Sequence, residues 1–301
     1  MFRLGIAFKE KFAELLSSGD PEKEIREPYF IFKPIEGKPG IMATVMTEFP
    51  LSQMLIASGL NCISTLSPTL GESELSSISA FMGKRLAYMR SYLIRGNKVD
   101  FLLQDNDMHG CIAYLSDPNF PTGKSLPANI FETLAERFGY LIVDATFSFL
   151  ERNNGGSLLK EDHLRALSNE GIENALFFLR LHEIFNLFRY PAYMILSPST
   201  RAMETILLLS GWKRNGVALA YKELILDEAV RSSLRNHSER LMRKAIELEE
   251  YLKKRGAVVI ESDTPYFISN AEQEFEGKAQ IVDLSMFIGE WDGLRLFAPN
   301  L

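Results

Sequence analysis

The feature that most constrains this chain is a regular alternation of short apolar runs with stretches of helical periodicity. The runs at residues 41–47, 62–66, 112–115, 140–143, 176–179 and 193–196 are strand-like, and helical segments such as 50–58 and 127–138 separate them. Antiparallel strands can be joined by a tight turn, whereas a helix-length spacer marks a crossover between parallel strands. The expected class is therefore α/β, a mostly parallel mixed sheet with helices on both faces. The run Tyr140-Leu-Ile-Val143 carries no charged side chain and is predominantly apolar, as a strand covered on both faces requires.

Beyond Ser197 the texture becomes helical. Residues 232–255 form the clearest helix: Leu241, Ala245, Leu248 and Leu252 recur at spacings of four, three and four. Glu239–Arg243, Glu249–Lys253 and Glu250–Lys254 are favourable pairs one turn apart, and Lys253, Lys254 and Arg255 precede the stop at Gly256. Strands are expected at 257–260, 266–268 and 294–297. This divides the chain into a large α/β domain, 1–198, and a smaller α+β domain, 199–301.

A net charge of −6 argues against nucleic acid as a partner, because phosphate binding needs a basic face. The sequence contains no apolar run of membrane-spanning length. Phe2, Ile6, Phe12, Leu15 and Leu16 instead give the N-terminus one apolar face. Cys62 and Cys111 are too few for a disulfide framework; two buried thiols in a cytoplasmic protein are expected. The four histidines, His109, His163, His182 and His237, are dispersed, and neither a metal-binding motif nor a phosphate-binding glycine loop nor a hydrolase elbow occurs. Six aromatics near the start (Phe2, Phe8, Phe12, Tyr29, Phe30, Phe32) exceed what one short helix can bury. A homodimer with the N-terminal segment in the contact, burying above about 1,000 Å², is expected.

One stretch carries a chemical signal. The loop Asp117-Pro-Asn119-Phe120-Pro-Thr-Gly123 follows a strand; a helix and a second buried strand, ending in Asp144, come next. In α/β folds ligands bind at the carboxyl ends of parallel strands, so Asp144 is a candidate site acid. The competing reading is an aspartate that caps a helix or bonds a loop.

These segments, with the strand LIVDATFSF, resemble the class I/II, fold-type-I aminotransferases that use pyridoxal phosphate, in particular histidinol-phosphate aminotransferase and threonine-phosphate decarboxylase. KPGIMATVMTEFPLSQMLIASGLNCISTL is similar to that family's strand–PTYPLY–helix–strand unit. LSGWKRNGVALAY, LEEYLKKRGAVVIESDTPYFI and GLRLF resemble, in order, its linking helix, its long helix with the following hairpin, and its strand with a carboxylate-binding arginine. The resemblance implies cofactor contacts at Asp144, Asn119, Phe120 and Phe147, a phosphate contact at Arg189 and a substrate-carboxylate contact at Arg295. A surface arginine and a salt-bridged structural arginine are the competing readings of Arg189 and Arg295.

The same resemblance implies a damaged site. The family's cofactor-binding asparagine and tyrosine fall on Phe120 and Phe147, neither of which offers a polar group. Its Schiff-base lysine falls on Glu183 and the preceding serine on His182, while residues 161–212 contain no lysine and 172–196 no Ser, Thr or Gly. The family's N-terminal arm has no counterpart, and Ser18-Gly19 beside Asp20 is a poor phosphate cup. The expected function is a non-transaminating member of the fold without bound cofactor, holding a small amino-acid-like or phosphorylated ligand or acting as a subunit. The alternative is a pyridoxal-phosphate-dependent aminotransferase or decarboxylase with a rearranged site, using Lys213 or a non-covalent cofactor. A third reading pairs His182 and Glu183 as acid and base, which a strand would oppose by pointing them to opposite faces.

Overall fold

In the computed structural model the apolar runs become strands of one eight-stranded sheet. The structure describes residues 6–18, 29–33, 40–69, 71–103, 108–168, 172, 174–210, 216–271, 279–284 and 294–299. The strands are β1 (Phe30–Phe32), β2 (Ile41–Met46), β3 (Cys62–Ser67), β4 (Arg85–Arg90), the hairpin β5 (Tyr92–Arg95) and β6 (Lys98–Phe101), β7 (Met108–Ser116), β8 (Phe138–Asp144), β9 (Ala175–Arg180) and β10 (Tyr193–Ser197). The sheet order is β1-β2-β10-β9-β8-β7-β3-β4. The run from β4 to β9 is parallel throughout, whereas β10, β2 and β1 join by antiparallel pairing. The class is α/β, mixed and mostly parallel, as the spacing of the runs predicts.

Alternation along the central strands divides their side chains between two cores. Ala113, Leu115, Leu141, Val143, Phe177 and Leu179 face the larger core. Helices α1 (Ile6–Ser18), α4 (Ala128–Arg137), α5 (Glu161–Ser168) and α8 (Gly216–Leu226) contribute Phe12, Phe131, Leu164 and Leu224 to it. Ile112, Tyr114, Tyr140, Ile142, Leu176 and Phe178 face the other way. There α2 (Leu51–Ala57), α3 (Glu72–Phe81) and α7 (Thr200–Leu209) supply Met54, Leu75 and Met203. Between β9 and β10 lies a single helical turn, α6 (Leu181–Ile184).

The long helix α9 (Glu228–Lys254) starts at Asp227, whose side chain caps the amides of Ala229 and Val230. Its N-terminal half places Val230, Leu234 and Leu241 in the large core. The expected stripe continues through Ala245, Leu248 and Leu252 into a small core with Phe267 and Phe297. Those aromatics come from the three-stranded sheet β11 (Phe267–Ser269), β12 (Ala279–Asp283) and β13 (Arg295–Pro299). The expected strand at 257–260 is reduced to one bridge, Val259 to Ser269. Side chains supplement the backbone bonds there: Asn270 Oδ1 accepts from the Val258 amide, and Ser269 Oγ donates to the Val258 carbonyl, each at 2.8 Å, beside the Ile260 amide on the Ile268 carbonyl.

Two further expectations are corrected here. Cys62 and Cys111 are disulfide-bonded rather than free, because β3 and β7 run in parallel with these residues as register partners, Cα atoms 4.4 Å apart. The cysteines therefore give no support to a cytoplasmic location. The N-terminal aromatics, moreover, are buried within the chain itself. Phe8, Phe12 and Phe32 are 4%, 1% and 1% exposed, and Phe12 packs 4.7 Å from Tyr221 and 5.2 Å from Tyr190. Of the six aromatics only Tyr29 is exposed among the described residues; Phe2 lies outside them.

Candidate functional site

The carboxyl ends of β7, β8 and β9 meet at one place, and each ends in a polar residue: Ser116, Asp144 and Arg180. Asp144 is buried. Its Oδ1 accepts from the Thr146 amide at 3.0 Å and hydroxyl at 2.5 Å, and its Oδ2 accepts from Arg180 Nε at 3.0 Å. The remaining guanidinium nitrogens grip Glu74, on α3, in a two-pronged bond of 3.2 and 3.0 Å. The flat face of the guanidinium lies over the rings of Phe49 at 5.1 Å and Phe178 at 5.8 Å. Burial opposes this charge, yet Asp144 and Glu74 outweigh it and the Arg180 pKa is raised.

Gly71 makes room for the arrangement. A Cβ there would lie 2.7 Å from Arg180 Nη2 and 2.8 Å from the Tyr114 hydroxyl, and its φ of +80° is one that side chains resist.

Glu183 comes to the same place from the helical turn α6, its Oε1 3.9 Å from Arg180 Nη1. Two nearby carboxylates call for an intervening cation, and the sequence offers Arg180, Arg189 and Arg295 for it; Arg180 stands within reach of both Asp144 and Glu183. Burial pushes the Glu183 carboxyl up to about 7, against the pull of Arg180. The picture of His182 and Glu183 alternating on a strand is corrected, since residues 181–184 are helical and both side chains are partly buried. His182 Nδ1 faces the Ala192 backbone, 3.0 Å from its carbonyl oxygen, and burial lowers its pKa. The turn closes at Asn186 with φ +55°, the left-handed conformation that glycine favours and asparagine tolerates.

The loop after β7 fills the neighbouring space with carbon. Phe120 packs against Phe147 at 5.9 Å and Tyr266 at 5.6 Å, and Phe147 lies 5.7 Å from Tyr266. Asn119 is buried and committed to the loop: its Nδ2 donates to the Pro68 carbonyl and its Oδ1 accepts from the Thr122 hydroxyl, each at 2.6 Å. Arg189 is exposed, beyond the turn. Arg295 donates from Nη1 to the Ala271 carbonyl at 2.6 Å within the small sheet. Lys213, Gly19 and Asp20 lie outside the described residues.

A second buried charge cluster anchors this loop from behind. Asp117 Oδ2 is 2.5 Å from His163 Nε2 and 2.7 Å from Lys160 Nζ, while Oδ1 accepts from the Leu126 amide at 2.8 Å. Burial raises the Asp117 pKa, but Lys160 and His163 outweigh that and hold it low. Sequence reasoning passed over this cluster and Glu74. The only signal was an acid within a proline-rich loop, whose partners lie dozens of residues away.

No protein-family model matches the chain, and no curated protein matches it in sequence. Solved structures do match in fold. A putative aminotransferase from Burkholderia pseudomallei superposes with TM-score 0.66 at 15% identity, over 98% of this chain and 89% of that one. Histidinol-phosphate aminotransferase from Clostridium acetobutylicum gives 0.65 at 14%, over 100% and 92%. L-threonine-O-3-phosphate decarboxylase from Porphyromonas gingivalis gives 0.65 at 13%, over 100% and 93%. At such identities the likeness establishes the fold alone: the chain has the fold-type-I architecture that these aminotransferase and decarboxylase structures share.

Proposed function

Starting from this aminotransferase fold, we propose that the protein, with units 1–198 and 199–301, is a non-transaminating member with a ligand-binding or subunit role. The observation that carries the reading is the pairing of Asp144 with Arg180. In the resembled enzymes the matching aspartate faces the cofactor's pyridinium nitrogen; here a buried guanidinium from the chain already holds that carboxylate. The other groups fit the cofactor no better. Glu183 stands at the lysine position, and Phe120 and Phe147 pack on each other and on Tyr266 with no polar group to offer a phenolic oxygen. Arg189 and Arg295 are candidate contacts for a phosphorylated or amino-acid-like ligand.

The purified protein is expected to be colourless, and pyridoxal phosphate with borohydride should leave no reduced adduct in the segment 172–196. The rearranged-site reading makes the opposite prediction. A reduced adduct recovered at Lys213, or a saturable visible absorbance without one, would replace the present proposal with an active or non-covalent cofactor enzyme.

We also propose a homodimer in the cytoplasm. Among the described residues no helix is long and apolar enough to cross a membrane. With the N-terminal aromatics buried in the chain, support for the dimer shifts to exposed apolar side chains on the packed helices α2 and α7: Ile56, Leu208 and Leu209, at 48%, 67% and 44%. Sedimentation at micromolar concentration should give twice the chain mass, falling toward 34.1 kDa in Leu208→Glu; a single-chain species in the unaltered protein would sink the proposal.

A further inference from the structure

At the end of the sheet opposite Asp144, the Cys62–Cys111 bond lies where β7 breaks its ladder with β8. Met108 stands opposite Phe138 and Ile112 opposite Tyr140, so three residues of β7, 109–111, face Gly139 alone. Such a bulge gives up ladder hydrogen bonds and re-aims the side chains it carries. Gly139 accommodates it: an added Cβ there would stand 2.2 Å from the His109 carbonyl oxygen. On the other side of β7 the pairing with β3 is regular, and it begins at the two cysteines.

The surroundings suit attack by a thiolate. Cys62 and Cys111 are themselves 8% and 7% exposed, but the bulge brings His109 and Gly110 to the surface, where both are exposed. Beside Cys111 the backbone is bare: nothing lies within 4 Å of where a Gly110 Cβ would stand. Cys62 has Arg85, exposed on the edge strand β4, as its register partner, so the two side chains leave the sheet on one face. A neighbouring cation favours the thiolate, the form in which a cysteine sulfur leaves a disulfide. A bond that only braced the sheet would need neither the bulge, nor the bare backbone, nor the cation.

We propose that Cys62–Cys111 is a reversible redox site whose reaction partner is a dithiol. One thiolate of the dithiol attacks Cys111 Sγ from the Gly110 side, and Cys62 departs as a thiolate beside Arg85 and takes up a proton. The second dithiol sulfur, deprotonated, then displaces Cys111, which is protonated in turn. Two cysteine thiols result, and the dithiol is oxidised to a disulfide. The consequence falls on the sheet edge. Among the described residues β4 pairs only with β3. Strand β3 is tied to β7 at both ends, by the cystine at one and by the Thr69 hydroxyl donating to Ser116 Oγ at 2.8 Å beyond the other. Reduction removes the first tie and loosens β3, β4 and α3, the helix that supplies Glu74 to Arg180.

Treating the native, oxidised full chain with dithiothreitol, quenching with N-ethylmaleimide and measuring the intact mass tests this. Double alkylation is expected at a rate proportional to reductant and at least about tenfold faster than the oxidised chain unfolds in the same buffer. Oxidised dithiothreitol should restore the bond. Gly110→Val, which covers the approach to Cys111, should slow reduction at least about tenfold, and Arg85→Gln at least about threefold, neither moving the urea midpoint. On reduction, amide hydrogen exchange should quicken in β4 and stay unchanged in β8 and β9. A reduction rate that equals the unfolding rate and ignores both substitutions would leave the bond a bracing role only and overturn the assignment. Two alkylatable thiols that persist in oxidised dithiothreitol, or β4 exchange that ignores the redox state, would overturn it as well.

Discussion

Replacing Arg180 by methionine should destabilise the protein by about 3–5 kcal/mol, the usual consequence of removing one partner from a buried ion pair. The side chain is 5% exposed and holds Asp144, which is fully buried, together with Glu74. Methionine replaces most of the volume over Phe49 and Phe178 but leaves the Asp144 carboxylate, among the described residues, with Thr146 alone to bond. The companion variant separates charge from packing. In Arg180→Met/Asp144→Asn the orphaned charge is gone, so at least about half of the lost stability should return, a coupling of roughly 2 kcal/mol. Urea unfolding midpoints at fixed slope measure both. A single variant within about 0.5 kcal/mol of the parent would show that the guanidinium is not the permanent partner of Asp144.

Glu183→Gln should act in the opposite direction and only above mildly acidic pH. The folded-state pKa of Glu183 stands at about 7, above its ordinary 4.5. A group raised in this way lends its stability below the unfolded value and loses it as pH climbs to the folded one. Stability from this residue therefore falls between 4.5 and about 7 and is flat beyond. Glutamine imitates the protonated acid, so the variant should match the parent near pH 4.5 and exceed it by about 2–3 kcal/mol at pH 8, at 1.36 kcal/mol per pKa unit. Its side chain is 19% exposed, which keeps solvent screening modest. Chemical denaturation across that range checks the sign. A variant less stable than its parent at pH 8 would mean that the Arg180–Glu183 attraction at 3.9 Å exceeds the burial penalty.

The central strands could be read in the sequence because burial on both faces forces continuous apolar runs, and β8 and β9 are of this kind. Strand β4 was missed: at the sheet edge its pattern, Arg85-Leu-Ala-Tyr-Met-Arg90, is mixed, with both arginines exposed. Helix α3 was missed for a related reason, because Glu72–Phe81 is rich in serine and buries only Leu75 and Ser79. With α3 went Glu74, and with Glu74 the reason Arg180 is held so firmly. Asp144 was legible as an acid ending a buried strand, and Glu183 as a carboxylate in a segment without lysine. Their common partner was legible only as one of three arginines, Arg180, Arg189 or Arg295. What selects Arg180 is its place at the end of β9, beside Asp144 at the end of β8, and that is a matter of sheet order rather than of composition.

The Cys62–Cys111 bond joins two neighbouring strands of the large sheet and encloses everything between them: helix α3, edge strand β4 and the β5–β6 hairpin. In covalent terms this part of the molecule is a closed ring. A peptide bond hydrolysed anywhere inside it opens the ring but leaves one covalent molecule, with two new ends and no lost fragment. The exposed turn at Gly96–Asn97 can thus be cut without separating β4 from the sheet it borders. Only a reductant, by breaking the disulfide that then joins them, would let the two pieces part.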